Sequence, residues 1–267
     1  MHTDLDIIVK QFPAEIGQRL RVYAIGDVHV GAETFNESAI KKKLSIIEED
    51  EAGCLALVGD LGDFGLKTSV SNIYKATMSP AEQIDYIYEL FLPVKDKIIA
   101  CIPGNHEERL VREAGVCPLL QLACRWQIPE VYRENLAIVK LIFGQREKGR
   151  QLSFWGSMSH GSTRNKDRNL AMQIEGTDFH ISAHTHKSEY APRGKIRINP
   201  TGEIATHIPF KHLVVDANLS VGGYGLKKEY EIPAPPELQY LELGVRRDNS
   251  RKTNALVKTI DYHAITL

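Results

Sequence analysis

Apolar and polar positions in the first half of the chain form two kinds of block. Residues 21–27 (RVYAIGD), 54–60 (CLALVGD) and 97–103 (KIIACIP) are short apolar runs with the length and composition of buried strands. Between them the spacing turns helical. Ile40, Leu44 and Ile47 predict a helix within residues 33–50. Ser79-Pro80-Ala81-Glu82 opens another, with Ser79 as cap, Pro80 at the first helical position and Glu82 completing a capping box. Residues 109–126 read as helical with a break near Pro118.

The second half has a different pattern. Residues 136–143 and 152–158 predict neighbouring strands, and residues 163–175 a polar helix with Leu170 and Ile174 facing inward. Residues 179–183 form a short strand, with further strands at 195–198, 213–215 and 256–262. The stretch 218–236, with Gly-Gly-Tyr-Gly and Pro-Ala-Pro-Pro, reads as an irregular connection. An order β-α-β-α-β-α followed mostly by β predicts an α/β fold of two sheets packed face to face with helices outside.

At 267 residues the chain fits one large domain or two small ones. We expect a single domain over 1–267, with a motif-bearing core over about 20–216 and a C-terminal extension over about 217–267. Apolar residues at 43% and charged residues at 25% describe an ordinary globular protein. No apolar run approaches the roughly 18 residues of a membrane span, so no membrane partner is expected. The formal net charge of -1 argues against a uniformly basic nucleic-acid coat but leaves room for a local basic groove. Residues 1–10 carry Asp4 and Asp6 and lack the apolar core of a secretory signal. Cys54, Cys101, Cys117 and Cys124 form no CxxC pair, and Cys54 and Cys101 stand in apolar runs. Buried free thiols and a reducing cytoplasm are the expectation.

The chemistry gathers where strands end. The first three strands close on Gly26-Asp27-Val28-His29, Gly59-Asp60-Leu61-Gly62-Asp63 and Gly104-Asn105-His106-Glu107. Carboxyl ends of parallel strands converge on one edge of an α/β sheet, where ligands bind. In the second half, His160 and His184-Thr185-His186 also follow apolar strands. In an extended segment His184 and His186 point the same way, serving two metals or flanking one. Five of the ten histidines lie in these clusters, so it is their grouping that points to a metal centre. Carboxylate oxygen mixed with imidazole suits Mn, Fe, Zn or Co better than calcium or a thiolate-loving metal.

These blocks, in this order, resemble the five signature motifs of the calcineurin-like metallophosphoesterases. The resemblance runs from about Val22 to His186, and departs where Ala183 replaces the glycine of a Gly-His-x-His block. The stretch beyond Lys187 resembles members from phage and prophage. The resemblance implies a four-layer α/β/β/α sandwich of two mixed sheets flanked by helices. It also implies two divalent cations, Mn foremost, with Fe, Zn, Ni, Co or Mg as other occupants. Asp27, His29 and His186 would hold the first, Asn105, His160 and His184 the second, and Asp60 would bridge them. His106 would act as acid toward the leaving group, oriented by Asp63. An extended segment would turn His106 away from Asn105. The implied reaction is phosphate-ester hydrolysis by in-line attack of a metal-bridging hydroxide, with phosphodiesters preferred because Phe64 stands where some relatives place an arginine. The expected partner is a phosphate-ester substrate, nucleotides and nucleic acids included; the oligomeric state stays open. A nuclease of the same superfamily is the alternative, and a non-catalytic scaffold the weakest reading, because every metal position is filled.

Other polar residues have plainer roles. Glu107 reads as a helix-start acid. His2, His180, His207, His212 and His263 read as surface or satisfied core histidines. Arg109 reads as a surface ion pair, although it can reach substrate, and Arg164, Lys166 and Arg168 divide between a solvated helix face and phosphate contacts. Tyr224 either lines a pocket or punctuates a loop.

Overall fold

The computed structural model describes residues 3, 5–13, 19–67, 69, 73–144, 152–162, 164–198, 205–222, 235–248 and 255–267. In chain order the elements are β1 (Ile8–Gln11), β2 (Arg19–Ile25), α1 (Glu37–Glu49), β3 (Gly53–Leu57), α2 (Pro80–Phe91), β4 (Ile98–Cys101), α3 (Asn105–Ala114), α4 (Pro118–Arg125), β5 (Ala137–Ile142), β6 (Ser153–Met158), α5 (Arg164–Gln173), β7 (Phe179–Ser182), β8 (Glu189–Ile198), β9 (Ala205–Val214), β10 (Glu237–Asp248) and β11 (Ala255–Thr266). A six-stranded sheet has the order β1-β5-β6-β7-β9-β8, and a five-stranded sheet the order β11-β10-β2-β3-β4. Both sheets are mixed, and helices flank them, as the motif order implies.

Local chemistry accounts for the first half. The apolar runs become β2, β3 and β4, paired in parallel and buried on both faces. Helix α2 begins with the expected capping box, Ser79 accepting from the Glu82 N–H while the Glu82 carboxylate accepts from the Ser79 N–H. Helix α1 starts later than expected, at Glu37, because Asn36 caps it by accepting from the Ala39 N–H. Pro118 separates α3 from α4, and Gly115 in the left-handed region closes α3. Among the described side chains of α5, Ala171 is buried and Leu170 half-buried, as is Ile174 just beyond the helix. Cys54 and Cys101 are buried free thiols.

Two strands escaped the sequence reading. Strand β1 pairs with β5 as an edge, and β10 inserts between β2 and β11. The residues after about 217 thus supply two strands of the five-stranded sheet. The connection over 223–234, which includes Tyr224, lies outside the described residues. A contiguous apolar core joins the two sheets and includes Val22, Cys54 and Ala56 of the five-stranded sheet and Val139, Phe154 and Ile181 of the six-stranded one. Among the described residues no helix is long and apolar enough to cross a membrane.

The two sheets come into contact where β2 and β7 end. A Cβ on Gly26 would stand 2.8 Å from Ala183 Cβ and 2.9 Å from Val58 Cγ2. Ala183 is tolerated in place of glycine because its neighbour is a glycine. Gly26→Ala is expected to cost about 1–3 kcal/mol through overpacking. Adding Ala183→Gly should return part of that loss in a double-mutant cycle of urea denaturation. Strictly additive effects would refute the contact.

Candidate metal centre

Asp27, Asp60 and Asn105 follow β2, β3 and β4, while His160 and His184 follow β6 and β7. Chain topology brings these five strand ends to one edge of the sandwich. Beyond the strands the backbone keeps pairing: the Asp27 N–H donates to Gly59 O (3.0 Å), that of His29 to Asp60 O (3.0 Å) and that of Ala183 to His160 O (2.9 Å).

The backbone departs from ordinary geometry at the same points. Asp27, His29, Asp60, His184 and His186 have φ between 48° and 71°. These are five of the seven non-glycine residues with positive φ among the described residues. Such conformations cost on the order of 1–3 kcal/mol each, although Asp and His tolerate them better than most. Simple turn chemistry at single strand ends does not account for so many on one edge.

The side chains fall into groups. In the first, Nε2 of His29 and Nε2 of His186 stand 3.2 Å apart. Asp27 Oδ1 is 3.5 Å from His186 Nε2 and 3.9 Å from His29 Nε2. In the second, His160 Nε2 is 3.3 Å from Asp60 Oδ2 and 3.1 Å from Asn105 Oδ1. His184 Nδ1 is 2.8 Å from Asn105 Oδ1 and 3.2 Å from His160 Nε2. Donor atoms of Asp60 gather with His160 and His184, and also with His29 and His106. His184 and His186 therefore face different groups, because both stand in left-handed backbone where an extended segment was expected. His160 Nδ1 lies 2.7 Å from the Val58 carbonyl, so it donates there and turns the Nε2 lone pair to the cluster.

Burial would push the carboxyls of Asp27 and Asp60 up, but the surrounding imidazoles outweigh it and hold both below the usual carboxylate range. The principal opposing groups are His186 for Asp27 and His160 for Asp60. Burial pushes His29 down to about 3, leaving it a neutral lone-pair donor. His160 is raised to about 10, the Asp60 carboxylate overcoming burial. His184 is lowered, first by burial and then by His160.

Asn105 and His106 occupy the first turn of α3, where the extended segment expected from sequence is absent. Their side chains diverge because adjacent helical positions face different directions. His106 Nδ1 is 2.7 Å from the Asp63 carbonyl oxygen and 3.3 Å from Asp63 Oδ1, and the His106 N–H donates to Asp60 Oδ1. Asp63 thus meets the ring mainly through its backbone. Glu107, read from sequence as a helix-start acid, is fully buried and accepts from the N–H groups of Asp60, Leu61 and Gly104, all at 2.8 Å, and of Gly62 at 3.4 Å. Its place three residues after Gly104 was the one available signal. Asn218 was missed too: buried, it donates to the carbonyls of Asp27 and Gly26.

The remaining basic and histidine side chains lie elsewhere, Arg109 excepted. Its Nη atoms lie against His106, and among the described residues no carboxylate forms the surface ion pair expected for it. Lys166 is exposed, and the side chains of Arg164 and Arg168 lie outside the described residues, as does His2. His180 sits between Ser157 Oγ and Ser159 Oγ, His212 contacts Ser182 Oγ, and His207 is exposed on β9 and His263 on β11.

Removing the Glu107 carboxylate would strand buried N–H groups, each costing about 1–3 kcal/mol. Glu107→Ala is expected to lose several kcal/mol in urea denaturation. Glu107→Gln, which keeps an acceptor oxygen, should lose clearly less. Equal losses would show that the carboxylate's acceptors do not hold the Asp60 loop.

A family profile described as calcineurin-like phosphoesterase matches residues 20–188, more than half of the chain. A search of curated proteins finds no match. Among solved structures, a metallophosphoesterase from Sphaerobacter thermophilus is 14% identical, with 92% of this chain and 88% of that one covered and a TM-score of 0.40. The calcineurin-like phosphoesterase YfkN from Bacillus subtilis is 11% identical, with coverages of 93% and 91% and a TM-score of 0.45. The NAD nucleotidase NadN from Haemophilus influenzae is 10% identical, covering 93% of this chain and 50% of that one, with a TM-score of 0.44. With all five motif blocks inside the matched span and their side chains gathered on one edge, the chain belongs to the calcineurin-like phosphoesterase family and is a metal-dependent phosphoester hydrolase.

Proposed function

We propose that the protein hydrolyses phosphodiesters at a centre for two divalent cations. Asp27, His29 and His186 hold one, Asn105, His160 and His184 the other, and Asp60 is shared. The observation that carries this reading is the sorting of the side chains into two donor groups, with Asp60 within reach of His29 in one and of His160 and His184 in the other. The donors suit such ions. Asp27 Oδ1 is buried without a hydrogen-bond partner, beside two imidazole nitrogens that face each other. A cation would give these lone pairs a common partner. Oxygen and nitrogen donors without thiolate suit Mn, Fe, Zn or Co, and of these we propose Mn.

Bound there, the two cations would supply Lewis acidity and an acidified water as nucleophile. The chain's own residues do the rest. His106 donates from Nδ1 to the Asp63 carbonyl, which leaves Nε2 to carry a proton to the leaving oxygen. Burial pulls the His106 pKa down, but Asp63 and Asp60 outweigh it and raise it above the usual imidazole value, the direction an acid requires. The preference for diesters rests on position 64. Phe64 is buried, lies against Gly62 and presents no cation to a second phosphate charge. A non-catalytic scaffold would have lost donors, whereas all seven are present here. We further propose a single domain over 1–267, supported by the pairing of β10 with β2, and a cytoplasmic setting, in keeping with the buried free thiols.

Metal analysis of Asp60→Asn should show loss at both positions, and retention of two ions would refute the shared role. His106→Asn should keep its metals and lose about 10²–10⁴-fold in rate on an alkyl ester, with a smaller loss for a leaving group of low pKa. An unchanged alkyl-ester rate would end that assignment. With one metal and one pH, kcat/KM should favour bis-p-nitrophenyl phosphate over p-nitrophenyl phosphate; a clear monoester preference would overturn the diester reading.

A further inference from the structure

Arg109 stands one turn along α3 from His106 and is half-buried. Its Nη1 is 3.2 Å from His106 Nδ1, and its Nη2 is 3.0 Å from His106 Nε2. These contacts leave the guanidinium short of acceptors. His106 Nδ1 is already committed to the Asp63 carbonyl, so the ring offers Arg109 one acceptor nitrogen at most. Among the described residues no carboxylate pairs with Arg109. Other arginines are paired: Arg125 meets Asp85 at 2.7 Å, and Arg21 is gripped by both oxygens of Asp50. A guanidinium carries five N–H donors in a planar fork suited to carboxylate and phosphate oxygens. Here that fork is held next to the residue read as the acid, with most of its donors unmatched among the described residues.

We propose that Arg109 is a substrate-binding residue whose guanidinium takes a non-bridging oxygen of the phosphoryl group. The inference rests on the phosphoester reading above, and it holds for either ester because both carry non-bridging oxygens. On substrate arrival the fork exchanges a poor contact with the imidazole for a charge-assisted one with phosphate.

The test uses metal-loaded protein: wild type, Arg109→Ala, Arg109→Lys and, as a control, Arg112→Ala, an exposed position three residues further along α3. Binding of inorganic phosphate is measured by isothermal titration calorimetry, and KM and kcat are measured on bis-p-nitrophenyl phosphate. Metal content and Tm confirm that each variant is intact. Arg109→Ala should weaken phosphate binding and raise KM by about 10- to 100-fold, with kcat changed far less. Arg109→Lys should fall between, since an ammonium keeps the charge without the fork. Added guanidinium ion should restore part of the Arg109→Ala loss, and Arg112→Ala should behave as wild type. Wild-type phosphate affinity in Arg109→Ala overturns the proposal. So does a fall in kcat with KM and phosphate affinity unmoved, which would make Arg109 a positioning residue for His106. A wild-type protein that hydrolyses no phosphate ester sinks the preceding reading instead, and phosphate calorimetry of the variants still judges Arg109.

Discussion

Two carboxylates, Asp27 and Asp60, must stay ionised while buried, and the rest of the site is arranged around that requirement. Burial alone would neutralise them. Imidazoles from four separate chain segments oppose it, and backbone N–H groups of His184 and His106 donate to Asp27 Oδ2 and Asp60 Oδ1. The result is a site in which two buried carboxylates face imidazole nitrogens. The carboxylates raise the pKa of His160 and His186, so a cation entering the site would compete with protons for these nitrogens.

Holding the carboxylates in place strains the chain. Five donors occupy left-handed backbone, a conformation kept only where the surroundings over-determine it. Here the surroundings are identifiable. Glu107 gathers the N–H groups of the Asp60 turn, Asn218 ties down the Asp27 turn from a distant part of the chain, and the core between the sheets fixes the strands from which both turns spring. Gly104 completes the arrangement, because any side chain there would strike the Asp60 carboxylate.

The two halves of the sandwich contribute unequally. The parallel strands β2, β3 and β4 bring the oxygen donors and the proposed acid, while β6 and β7 of the other sheet bring three imidazoles, and both donor groups form only where the sheets meet. That dependence explains the small residues at the junction. Gly26 and Ala183 set how closely the sheets approach, and with it the reach between oxygen and nitrogen donors.

Much of this was legible in the sequence. Apolar runs ending in Asp, Asn and His announced parallel strands converging on a metal site, since burial on both faces demands continuous apolar segments and ligands collect at strand ends. The capping box of α2 and the break at Pro118 were local chemistry and needed no partner. What depended on distant chain was not legible. Strand β10 owes its place to pairing with β2, more than two hundred residues earlier, and its own alternation of Leu241 and Leu243 with polar neighbours was too weak to announce it. Glu107 and Arg109 looked like ordinary charges on a helix start. Only the folded chain, by closing the Asp60 turn over one and laying the other against His106, made the first a buried clamp and the second a cation short of acceptors. The sequence determined which donors exist and at which strand ends. The tertiary structure decided which of them meet, because backbone twist and sheet-to-sheet distance are set by pairing and packing between residues far apart in the chain.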